Sequence, residues 1–102
     1  MSRPNFVSEE DILRWSNNID NDPNFPKSLA QSPTIREVCY AGLWLAEQLD
    51  RLSCPSSIIV RIQEAAGRLS FGRDPWEVSS QILEEYENNQ LVFEQDPEAI
   101  QN

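Results

Sequence analysis

The sequence predicts an all-α fold: a small four-helix-bundle-like single domain with an extended acidic C-terminal tail. Three observations predict it. Apolar residues recur at helical spacing in four stretches. Each stretch opens on a capping residue, three of them followed by a proline suited to the first helical position. A chain of 102 residues is long enough for one hydrophobic core without disulfides or metal. The domain is read as residues 1–102, with helices over about 9–21, 33–52, 55–71 and 75–87 and a tail over 88–102.

The first helix opens at Ser8, whose hydroxyl suits an N-cap, and Glu9, Glu10 and Asp11 then face the positive end of the helix dipole. Ile12, Trp15 and Ile19 form one apolar stripe, and the helix runs down between Asn18 and Asp22. Asp22 to Pro33 holds three of the seven prolines and reads as a loop with room for one helical turn at Lys27–Gln31. Ser32-Pro33 starts the second helix as cap and first residue, and the short turn after Leu52 makes the second and third helices antiparallel neighbours. Ser53 or Cys54 caps the third, with Pro55 first and Gly72 as the stop beyond Phe71. Asp74-Pro75-Trp76-Glu77 starts the fourth in a capping-box-like pattern, and Asn88-Asn89 ends it. Leu91-Val92-Phe93 reads as an extended segment that docks on the bundle, with Pro97–Asn102 frayed beyond it.

Helical wheels assign the buried faces. The fourth helix sets Trp76, Val78, Ser79, Ile82, Leu83 and Tyr86 against Glu77, Glu84, Glu85 and Glu87. The third buries Ile58, Ile59, Ile62, Ala65, Ala66 and Leu69; Val60, Gly67 and Phe71 fall off that stripe, and Gly67 is expected to mark close approach of another backbone. The second has a broad apolar face of Ile35, Val38, Ala41, Gly42, Leu45, Ala46, Leu49 and Leu52, with Cys39 at its edge. Tyr40 and Trp44, four residues apart, fall on its polar side among Arg36, Glu37, Glu47, Gln48 and Arg51.

Charge and composition narrow the chemistry. The net charge is −9, and from Asp74 onward there are eight acidic residues and no lysine or arginine. A field of that sign repels phosphate backbones and anionic lipid, so direct nucleic-acid and membrane binding are not expected. The chain has no histidine, which removes the commonest general base and metal ligand, and two cysteines fall short of a zinc site. Asp20, Asp22 and Asn24 imitate the start of a calcium loop, but Phe25 stands where the turn needs glycine and Gln31 where it needs glutamate. Arg73 stands beside a helix start, a position suited to an anion, but Asp74 competes for the same N–H groups. The clustered carboxylates lack the apolar enclosure that shifts a catalytic acid. No signal-peptide-like run is present, so a cytoplasmic protein with reduced thiols is expected.

No motif names an activity. The sequence therefore points to a non-enzymatic protein-interaction module (an adaptor, regulator or assembly factor) with no cofactor and no metal. Its expected partner-binding face is the aromatic and arginine side of the second helix: Tyr40, Trp44, Arg36, Arg51 and Gln48. Glu84, Glu85 and Glu87 form a second surface for a basic partner, and a homodimer seam would use the same aromatic face. Two alternatives stand beside this reading. One is an acidic mimic of nucleic acid that occupies a DNA- or RNA-binding protein; the other is a bundle with an apolar small-ligand pocket.

Overall fold

A computed structural model describes residues 4–88. It contains α1 (Glu9–Asp20), α2 (Lys27–Ala30), α3 (Pro33–Arg51), α4 (Ser56–Leu69) and α5 (Pro75–Glu87). The four long helices are those expected, and α2 is the single turn in the proline-rich loop. Among the described residues no helix is long and apolar enough to cross a membrane. The expected docking of Leu91–Phe93 and the acids Glu94, Asp96 and Glu98 lie outside the described residues.

Local chemistry sets three of the four long-helix starts as anticipated. Ser8 Oγ accepts from Asp11 N–H at 3.1 Å, Ser32 Oγ from Ile35 N–H at 3.3 Å, and Asp74 Oδ1 from Trp76 N–H at 2.9 Å. Pro33 and Pro75 follow their caps at the start of the helix. The start of α4 differs. Pro55 itself occupies the cap position and no side chain bonds the exposed N–H groups. The preceding turn instead passes through Ser53 in the left-handed region, at φ 63°, and Cys54 N–H bonds Leu49 C=O at 3.0 Å.

The end of α4 also differs from the expected Phe71. The helix stops at Leu69 because Ser70 turns its N–H and hydroxyl back onto the Ala66 carbonyl, at 3.0 and 2.6 Å. Gly72 then takes φ +72° and Arg73 N–H bonds Ser70 C=O at 3.1 Å, closing a tight corner into α5. Gly67 does not mark a close approach: a Cβ there would meet nothing within 4 Å.

α3 is the hub. It packs against α1, α2, α4 and α5, while α1 packs on α3 and α2 and meets α5 through the Trp15–Trp76 ring pair. One hydrophobic cluster lies between α3, α4 and α5 and contains Leu45, Leu49, Ile62, Ala66, Val78 and Ile82. A second lies on the other side of α3 and contains Val7, Trp15, Ala41 and Trp76. Trp44 touches both. The apolar face read from the wheel holds at Ala41, Leu45 and Leu49, but Leu52 at its end is exposed, as is Leu69 at the end of α4, and α3 is covered on its supposed polar side as well.

Candidate functional site

Tyr40 and Trp44 do not project from a free surface. Both are half-buried and belong to a ring cluster built from four segments. Phe6 lies over Trp44 with centroids 4.9 Å apart, Trp76 meets Trp44 edge-on at 6.4 Å, and Trp15 stacks on Tyr40 at 6.5 Å. The wheel misplaced this face because it scored Glu37, Glu47 and Arg36 as solvent markers. Each is a hydrogen-bond partner of the layer that covers α3. Trp15 Nε1 donates to Glu47 Oε2 at 2.7 Å and Trp76 Nε1 donates to Glu37 Oε1 at 2.9 Å. Arg14 clamps both oxygens of Glu47, at 2.7 and 3.1 Å, and also reaches Asp11 at 3.0 Å. These contacts, with the Arg14 guanidinium first, hold the Glu47 carboxyl below its usual range.

Arg36 ties α1, α2 and α3 together. Its Nε donates to Tyr40 Oη at 2.9 Å, Nη1 to Asp20 Oδ1 at 2.9 Å and Ala30 C=O at 3.0 Å, and Nη2 to Ser16 Oγ. Only 18% of its side chain is exposed. Asp20 is thereby used as an ion-pair partner, and Asp22 Oδ1 accepts from Asn24 N–H at 2.8 Å, so the resemblance to a calcium loop is a turn closed on itself. No group of three or more potential metal ligands occurs among the described residues. Both cysteines are free; Cys54 is buried, and burial pushes the half-buried Cys39 thiol up.

Where α1 meets the first half of α3, the ring cluster opens into a groove of about 620 Å³. Ile12, Leu13, Pro33, Tyr40 and Trp76 supply apolar surface, and Glu9, Glu37 and Arg36 supply charge. Leu13 is 63% exposed. The groove is largely preformed, because Tyr40 and Trp76 are fixed by the hydrogen bonds to Arg36 and Glu37.

Of the sequence-predicted partner-binding residues, Tyr40 and Arg36 line this groove. Trp44 instead sits beneath Phe6. Half-buried Gln48 and exposed Arg51 lie roughly 12 and 16 Å farther along α3, by helical rise, and do not join it. Glu84 and Glu87 are exposed and Glu85 half-exposed at the far end of α5, as a separate surface. Sequence reasoning missed Leu13, Pro33, Glu37 and Trp76 as site residues. Leu13 left a signal: it is an apolar residue one position off the Ile12–Trp15–Ile19 stripe, and so points away from the core.

No protein-family model matches the chain, no curated protein matches it, and no solved structure matches it.

Proposed function

We propose that this chain is a non-enzymatic protein-interaction module whose docking face is the groove between α1 and α3. One observation carries the reading: a preformed apolar groove of about 620 Å³, floored by Tyr40 and Trp76, with Leu13 left exposed in its lining. Aromatic residues are enriched at binding hot spots because they bring large contact area at little conformational cost. Exposing such surface in a small acidic protein is costly in solubility terms, and occupation by a partner offsets that cost. The face first read from Tyr40, Trp44, Arg36, Arg51 and Gln48 is thus narrowed to the Tyr40 end. The acidic surface of Glu84, Glu85 and Glu87 is a separate place for a basic partner.

Capture of binding proteins from native lysate, with wild type beside Leu13→Glu, tests the reading. Leu13 is largely solvated, so the variant is expected to keep the wild-type melting temperature while losing the captured partner. A variant that folds normally and retains every partner would rule the groove out. Glu84→Gln/Glu85→Gln/Glu87→Gln is expected to leave groove binding in place.

A further inference from the structure

The α4–α5 corner presents the most exposed large apolar residue of the described chain. Phe71 is 85% exposed, while the other exposed large hydrophobic residues range from 41% to 63%. The corner that carries it is held by local bonds. Ser70 is buried and bonded to Ala66, Gly72 holds φ +72°, and Asp74 caps α5. Two residues beyond Phe71, Arg73 is exposed and makes no ion pair or side-chain hydrogen bond to any described residue. The corner is therefore a preorganised knob, an aromatic ring with a cation beside it.

The groove has the opposite character. Its floor is apolar, and the one cation lining it, Arg36, spends its donors on Tyr40, Asp20, Ala30 and Ser16. The Glu37 carboxyl lines the groove. One of its oxygens accepts the Trp76 indole N–H, and no described cation pairs with it. A half-buried carboxylate without a cation is a position where an incoming positive charge is favoured. Knob and groove are neighbours on the surface: Arg73 and Glu37 line the same hollow, and Glu37 also lines the groove, yet the two are not within ion-pair distance in one chain.

From this complementarity we propose that the groove takes the Phe71–Gly72–Arg73 corner of a second copy of this chain. Phe71 fills the apolar slot over Tyr40 and Trp76, and Arg73 pairs with Glu37. Because knob and groove lie side by side, a two-fold axis between them makes both contacts at once and closes the assembly as a dimer. The segment after Asn88 is a poor occupant by comparison, since it carries Glu94, Asp96 and Glu98 and no lysine or arginine. The proposal rests on the groove being a docking face and names what docks there.

Light scattering and sedimentation equilibrium over a micromolar-to-millimolar series test it, with isotope-filtered NOEs on a mixture of labelled and unlabelled full-length chains. The expected results are a concentration-dependent doubling of the 11.7 kDa mass and intermolecular NOEs from the Phe71 ring to Leu13 and Tyr40. Phe71→Ser and Arg73→Glu, both at exposed positions, are each expected to return the monomer with an unchanged melting temperature. A wild type that stays monomeric throughout, or a dimer that persists in Phe71→Ser, overturns the proposal. Loss of a foreign partner in Leu13→Glu but not in Phe71→Ser, with a monomeric wild type, would sink the self-association and leave the docking groove standing.

Discussion

The most informative side chains are the two carboxylates that receive indole N–H groups. Trp15 is 1% exposed, so removing its acceptor strands a buried donor. Glu47→Ala is expected to lower stability by about 1–3 kcal/mol in urea denaturation, and Glu47→Gln by less, because an amide oxygen still accepts from Trp15. The charge adds a pH signature. The folded-state pKa of Glu47 lies below the ordinary 4.5, first through Arg14, so the unfolded chain binds the proton more readily. The stabilisation is complete above that ordinary value and is lost as pH falls through the lowered one. The gap between wild type and Glu47→Gln should therefore shrink from pH 7 to about pH 3; a constant gap would mean that the ion pair contributes nothing. These contacts were illegible beforehand. A wheel cannot separate a solvated glutamate from one covered by an indole. The available signal was the demand side: tryptophans on apolar stripes of two other helices, each needing an acceptor.

At the scale of elements, helix starts were legible and helix ends less so. A start is written in one or two residues: the oxygen of Ser8, Ser32 or Asp74 bonds an N–H two or three positions on, and that geometry is local. The end of α4 depended on Ser70 choosing its own helix over solvent, a competition that spacing does not record. Gly67 shows a similar limit. A glycine inside a helix has two readings, close packing or indifference, and the open space around it decides for the second. Gly67→Ala is accordingly expected to stabilise the protein by about 0.5–1 kcal/mol, read as a higher denaturation midpoint. Destabilisation would imply that something outside the described residues occupies that space.

The whole molecule is two hydrophobic layers sharing one wall. The wheel identified the α4–α5 side of α3 because its residues are uniformly apolar. It missed the α1 side because that layer mixes rings with charged partners. The four long helices follow from apolar spacing and caps and the α3–α4 adjacency from turn length, but which element covers the second face depends on contacts between residues more than thirty positions apart, such as Trp15 with Glu47 and Trp76 with Glu37. The asymmetry has a dynamic consequence. The backbone of α1 comes close to α3 and α2, with α5 met through the Trp15–Trp76 rings, whereas α3, α4 and α5 all pack closely on one another. Native-state hydrogen exchange should show α1 amides opening at lower free energy than those of α3. Equal protection in both would mean that the two layers unfold as one unit.

The chain has three tryptophans, and all of them belong to the ring cluster beside the groove: Trp76 lies 6.5 Å from Trp15 and 6.4 Å from Trp44. Their ultraviolet transitions are close enough to couple. The near-ultraviolet dichroism and intrinsic emission of this molecule thus report chiefly on one patch, with Trp44 extending it to the cluster shared by α3, α4 and α5. A visitor settling over Trp76 would announce itself in the native chromophores, with no dye or label attached.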